Sequence, residues 1–230
     1  MRPELSRVKP SAWPDAAERA LRSGGTSETA IYAMVADALR YAGVTTGRLH
    51  DIGCGSANLY PFVRDWVSSY VGVDLVRYDS FPAGAEWIEA NLDLLPLPLP
   101  AECTDVVAAV ETIEHLENPH AFMRELVRLA KPGSTVVVTT PNQLSLLSKM
   151  TLMLKNRFGA FQDVHYPAHI TALLEIDLIR IASACGLQNL SISYTNRGRI
   201  VFTPLHYPRM VSRQWPRAMS DNICLIGTKE

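Results

Sequence analysis

Short apolar runs and helix-period stretches alternate along this chain from Arg48 to Tyr194, and few folds are compatible with that order. Arg48–Ile52 reads as a strand that stops at a glycine-rich turn, Asp51-Ile-Gly-Cys-Gly-Ser. A helix is expected over Leu59–Ser69, then strands at Tyr70–Val73, closed by Asp74, and Trp87–Leu92, closed by Asp93. The run from Leu94 to Pro100 carries three prolines and can be neither helix nor central strand. Thr104–Val110 reads as a buried strand. Pro119 opens a helix with the stripe Phe122, Leu126 and Leu129, which stops at Lys131-Pro-Gly. Strands follow at Thr135–Thr140, Leu190–Tyr194 and Ile223–Thr228, with a helix over Ile176–Ala184. This order predicts an α/β fold: an open, mostly parallel sheet with helices on both faces.

Ahead of the alternation, Ile31, Met34, Val35, Ala38, Leu39 and Ala42 recur at helical spacing, with an N-cap signal at Thr26 or Ser27 and a stop at Gly43. Residues 1–25 read as an arm or loose cover, and residues 26–230 as a single domain. Two stretches stand outside the alternation, Gln143–His169 and Thr195–Asn222. In such sheets the ligand lies beyond the carboxyl ends of the strands, where insertions form a lid.

Charge is uneven along the chain. The whole carries -1, which argues against a dedicated nucleic-acid binder, yet Gln143–Ser220 holds nine lysines and arginines against three acids. Between Leu178 and Ser220 there are six arginines and no acid, a segment suited to an anionic partner. The four cysteines form no CxxC, which excludes a zinc ribbon and fits a reducing compartment. The longest uncharged run is too short for a membrane span, and the N-terminus has no apolar signal core, so a cytoplasmic location is expected.

The strand–DxGxG–helix unit carries the chemistry. Gly53 permits a tight turn and Gly55 lets the backbone approach a ligand. Asp74 closes the next strand, where an acid reaches both hydroxyls of a ribose, and Asp93 closes the one after, placed for an adenine amine. A dinucleotide site would want a third glycine at position 58, which is Asn58. Asp51 would repel a pyrophosphate but suits the ammonium of an amino acid.

These residues, with the later ETIEHL and KPGSTVVVTTPN, resemble the class I S-adenosylmethionine-dependent methyltransferases over about residues 45–195. The resemblance implies a Rossmann-like sheet of seven strands, the last antiparallel and inserted between the fifth and sixth. It implies S-adenosylmethionine as cofactor, with Asp51, Gly53, Cys54 and Gly55 at its methionine part, Asp74 and Leu75 at the ribose, Asp93 and Leu94 at the adenine, and Glu111 near the methyl.

Glu111-Thr-Ile-Glu114-His115 follows the fourth strand. If it turns helical, Glu111, Glu114 and His115 share a face. Three roles remain open. His115 can act as a general base on an acceptor aligned with the methyl, with Glu111 and His169 beside it. Alternatively, Glu111, Glu114, His115 and His169 (His165 as second choice) hold a divalent metal, as E-x-x-E-H followed by a later His does in the small-RNA 2′-O-methyltransferases and ubiquinone-pathway O-methyltransferases it resembles. In the third, structural role, Glu111 lines the cofactor pocket while Glu114 and His115 satisfy backbone groups.

The reading adopted is methyl transfer to a hydroxyl of a small acceptor such as a sugar or a lipid-linked intermediate, with His115 as base. A nucleic-acid methyltransferase and a cofactor-binding module without acceptor chemistry are the alternatives. Leu144, Leu147, either Met150 or Thr151, and Leu154 form an apolar stripe beside Lys149, Lys155 and Arg157. It reads as a lid helix, or as a surface helix that touches an anionic membrane. The segment PNQLSLLSKM…HYPAHITALL also resembles bacterial methyltransferases that modify sugars or other small metabolites.

Overall fold

The computed structural model describes residues 15–230. They form a sheet of seven strands: β1 (Arg48–Ile52), β2 (Ser69–Asp74), β3 (Glu86–Glu89), β4 (Thr104–Ala109), β5 (Ala130–Pro141), β6 (Leu187–Tyr194) and β7 (Asn222–Lys229). The spatial order is β3-β2-β1-β4-β5-β7-β6. β1 pairs in parallel with β2 and β4, while β7 runs antiparallel between β5 and β6. This is the expected topology, with the last strand inserted where the resemblance implies.

Alternation along the strands builds two cores. Val107, Ala109, Val136, Val138, Ile223 and Leu225 face one side, against α4 (Pro119–Leu129) and α6 (Glu175–Ala184). Val106, Ala108, Val137 and Cys224 face the other, against α2 (Thr29–Tyr41). In α4 the stripe Phe122, Leu126 and Leu129 is fully buried, each side chain contributing roughly 1.5–3 kcal/mol of transfer free energy. Asn118 caps that helix through its side chain, and Pro119 costs nothing at the first turn because its missing N–H has no helical partner there.

Four expectations change. The helix expected over Leu59–Ser69 contracts to α3 (Tyr60–Val63), after which the chain continues as turn. The third strand ends at Glu89, so Asp93 stands beyond it on a turn. α2 starts at Thr29, with Glu28 at the cap and no side-chain cap bond, so Thr26 and Ser27 are freed for another use. The stretch read as a loose arm holds a helix, α1 (Ala16–Ser23), capped by Asp15 and ended by Gly24 at φ +71°; its first 14 residues lie outside the described residues. α5 (Leu146–Lys155) and α7 (Arg209–Ser212) lie in the two insertions. Among the described residues no helix is long and apolar enough to cross a membrane.

Candidate active site

β1 delivers Asp51 and the glycine turn to the carboxyl end of the sheet. Gly53 sits at φ +81° with the Thr112 side chain where a Cβ would be, and Gly55 sits at φ +50° with the Gly25 backbone in that place. Both positions thus require the missing side chain, as expected from the motif. Asn58, where the dinucleotide motif has glycine, donates to Thr26 Oγ1 at 2.8 Å, and Ser56 N–H donates to the Gly25 carbonyl at 2.8 Å. The loop before α2 is thereby fastened over the turn.

A pocket opens there, lined by Asp51, Gly53, Cys54, Gly55, Asp74, Leu75, Asp93 and Glu111 among others. Asp51 is 1% exposed. Its Oδ2 accepts from the Tyr70 hydroxyl, while its Oδ1 is buried with no hydrogen-bond partner. Burial raises its carboxyl to about 7. An orphaned carboxylate oxygen in a ligand pocket calls for a cation or a proton, which fits an amino group.

Asp74 is more occupied than its sequence position implied. Its Oδ2 accepts from Gly55 N–H at 2.8 Å and its Oδ1 from Leu75 N–H at 2.7 Å and Val76 N–H at 3.2 Å. It therefore shapes the glycine turn as well as facing the pocket; burial raises its pKa against those bonds. Asp93 is held by Arg19 of α1 and by Glu117 N–H at 2.9 Å. Leu94 turns outward, 70% exposed, because the Asn91–Leu94 turn directs it to solvent, and the buried Leu92 takes the place by the pocket instead.

The helix α1 is the feature sequence reasoning missed. Ala16, Arg19, Ala20 and Ser23 line the pocket, so this short helix roofs it. Arg19 is only 3% exposed. The signal available was an arginine amid small residues with an Asp cap before and two glycines after, too short to rank as a core helix.

Beyond the pocket lies a second cavity of about 480 Å³, within the range of small-molecule sites. Asn142, Gln143, Ser145 and Ser148 give it a polar wall from the first insertion. Ser23, Thr26, Ser27, Glu111 and His115 line both spaces, so they form the boundary between them.

The acidic-histidine segment does not turn into one helical face. Only Ile113–His115 forms a 3₁₀ turn, and Glu111 precedes it at φ +50°. The segment therefore splits. Glu111 turns to the boundary, where its Oε2 accepts from Asn222 at 2.7 Å and its Oε1 is unpartnered; burial raises its carboxyl to about 7. Glu114 is fully buried and neither oxygen has a hydrogen-bond partner, although Oε1 lies 4.0 Å from His115 Nε2; desolvation, then the Glu111 charge, push its pKa well above the carboxylate range.

His115 Nδ1 lies 2.9 Å from the Ala168 carbonyl and His169 Nδ1 2.8 Å from that of Ala160. A carbonyl only accepts, so each Nδ1 carries the proton and each Nε2 keeps its lone pair. Burial lowers both imidazoles, His169 to about 4, so both are neutral near pH 7. The two rings meet edge to face at 4.8 Å between centroids. One ligating atom each from Glu114, His115 and His169 lie within 4.8 Å of one another. Glu111 is outside that set. His165 stacks on His169 at 5.5 Å and lines the second cavity.

A methyltransferase domain model matches residues 27–192. The chain belongs to the class I S-adenosylmethionine-dependent methyltransferases. S-adenosylmethionine is accordingly the cofactor of this methyltransferase, and the orphaned Asp51 Oδ1 beside the glycine turn is the feature of its own pocket that fits it. A probable S-adenosylmethionine-dependent methyltransferase of Mycolicibacterium smegmatis is 29% identical over 41% of this chain and 38% of its own length. A ubiquinone biosynthesis O-methyltransferase of Rhodopseudomonas palustris is 31% identical over 42% of this chain and 40% of its own. Ajmaline N-methyltransferase of Rauvolfia serpentina is 26% identical over 58% and 47%. The chain thus spans less than half the length of these relatives. A possible histamine N-methyltransferase of Thermotoga maritima shares the fold at a TM-score of 0.61 with 17% identity, covering 86% of this chain and 89% of that one.

Proposed function

We propose that this methyltransferase transfers the methyl of S-adenosylmethionine to a hydroxyl of a small polar acceptor. The observation that carries the reading is the shared wall: Glu111 and His115 face both the glycine-turn pocket and the polar cavity. A donor in the first and an acceptor in the second would meet across these two side chains. In-line displacement at a sulfonium needs alignment and loss of the acceptor proton. In this reading Asp51 takes the amino group, Asp74 the ribose and the Asp93 turn the adenine, while neutral His115 accepts the proton through Nε2. Glu111 and His169 position the acceptor. The polarity of the cavity favours a sugar-like molecule over a bare hydrocarbon.

A second reading rests on Glu114, whose two orphaned oxygens sit beside two imidazoles with backbone-fixed Nδ1 protons. Glu114, His115 and His169 would hold a divalent cation, with the carbonyls of Ala168 and Ala160 orienting the histidines. Such a cation would lower the pKa of a bound hydroxyl.

Labelled S-adenosylmethionine is incubated with hydroxylated and amine acceptors, with and without EDTA. O-methyl products that persist in EDTA and fall about 10²–10⁴-fold in His115→Ala support the base. Loss in EDTA with recovery on added metal supports the cation instead, and exclusive N-methylation contradicts the hydroxyl acceptor.

The setting is inferred to be cytoplasmic, without nucleic acid. On α5, the exposed Leu152, Met153 and Leu154 stand by Lys149, Lys155 and Arg157, which supports peripheral contact with an anionic inner membrane face.

A further inference from the structure

The arginine-rich segment has a structural outcome that methyl transfer does not use. Of its six arginines, Arg217 pairs with Glu175 at 2.6 Å, Arg199 with Asp221 at 3.4 Å and Arg197 with Glu28 at 3.1 Å. Arg180 is exposed on α6, whose buried face packs on the other side of the sheet. Arg209 and Arg213 make no ion pair among the described residues. They stand four positions apart on and just after α7, exposed and facing the same groove. Like charges at that spacing repel weakly in water, and an anion between them would turn the repulsion into attraction.

The groove has a volume of about 740 Å³ and lies between α2 and the outer strands β6 and β7. Arg197 also borders it. His206 lines it, and His206 Nε2 is buried with no hydrogen-bond partner. Tyr194 and Tyr207 offer ring surface in the same wall, and Asp37, bonded to Arg40, is the acid at its edge. Guanidinium groups bind phosphate oxygens in pairs, and aromatic faces accept a flat ring beside them. Glu28 lines the methyl-acceptor cavity and its ion-pair partner Arg197 lines the groove, so this ion pair joins a wall of one space to a wall of the other.

We propose that this groove is a second ligand site, specific for a diphosphate-type anion and read by Arg209, Arg213 and His206. The anion is either a free phosphate compound or the charged end of a larger acceptor. The test is calorimetric titration of the full chain with inorganic pyrophosphate and, separately, with uridine diphosphate glucose. S-adenosylhomocysteine is titrated as a control for folding and for the cofactor pocket. Wild type binds at least one of the two anions with a Kd below about 1 mM. Arg209→Gln/Arg213→Gln weakens that binding at least tenfold, and Arg209→Lys/Arg213→Lys recovers part of it, while the S-adenosylhomocysteine affinity stays the same in all three. Tighter binding of the sugar nucleotide than of pyrophosphate supports a site for one end of a larger molecule, and equal binding supports a site for free phosphate. The proposal is overturned if neither anion binds wild type that still binds S-adenosylhomocysteine. Equal anion binding in the glutamine variant overturns it too, as does competition between pyrophosphate and S-adenosylhomocysteine.

Discussion

Filling the cofactor pocket should expel a proton from Asp51. In the empty chain, burial holds this carboxyl at about 7 instead of 3.8. At about 1.4 kcal/mol per pKa unit, that amounts to roughly 4 kcal/mol against the ionised form. The sign follows from linkage. The folded chain keeps a proton that the unfolded chain releases, so the stability this gives is full below about pH 4 and is lost as the pH rises towards 7. A ligand ammonium placed at the orphaned Oδ1 reverses the preference and ionises the group. At pH 6 the empty site is about nine-tenths protonated, one unit below its pKa, so binding should release close to one proton. Calorimetry of S-adenosylhomocysteine in buffers of different ionisation enthalpy measures that number. Asp51→Asn keeps a partner for Tyr70 but should abolish the release and weaken binding at least tenfold. It should also stabilise the empty chain at pH 8 and leave it little changed at pH 4. Glu111 titrates in the same range, so Glu111→Gln serves as the control and should preserve the release. Tight binding by wild type at pH 6 with no proton released would refute the reasoning.

Three further outcomes follow from the same pocket. Gly53→Val should eliminate cofactor binding, since its Cβ meets Thr112 at a positive φ, whereas Cys54→Ala should bind normally because burial holds that thiol neutral; calorimetry on both separates them. Asp74→Ala should lose at least tenfold in cofactor affinity and also about 1–3 kcal/mol of stability in urea, because three backbone N–H groups lose their acceptor. Arg19→Ala should weaken S-adenosylhomocysteine binding and speed its dissociation in stopped flow, since α1 would lose its ion pair to Asp93 over the pocket.

The sheet was legible because its strands carry a period-two or all-apolar pattern bounded by glycine, proline or aspartate, and Arg48–Ile52 matches to the residue. The cofactor turn was legible because Gly53 and Gly55 adopt conformations that other residues disfavour. The site around His115 was only partly so. Equal spacing on a helix would have put Glu111 and Glu114 on one face, but the backbone takes a positive φ at Glu111 and only Ile113–His115 turns, so that face never forms. There Glu111 N–H donates to Thr139 Oγ1 of β5 at 2.9 Å, a long-range contact that no local pattern encodes. His169 reaches His115 because the Ala168 carbonyl and the Glu114 carbonyl join the insertion to the turn, again through long-range bonds. α1 escaped for a related reason: its one large apolar side chain, Leu21, is exposed, and what it buries is Arg19 against Asp93 and Glu117, which are distant in sequence.

The most direct test of the account is a crystal structure of the full chain with S-adenosylhomocysteine. The account predicts the amino group on Asp51 Oδ1, the ribose at Asp74 and the sulfur directed at the wall formed by Glu111 and His115, open to the polar cavity behind it. A ligand whose sulfur points away from that wall, or whose amino group leaves Asp51 Oδ1 unpartnered, would contradict it.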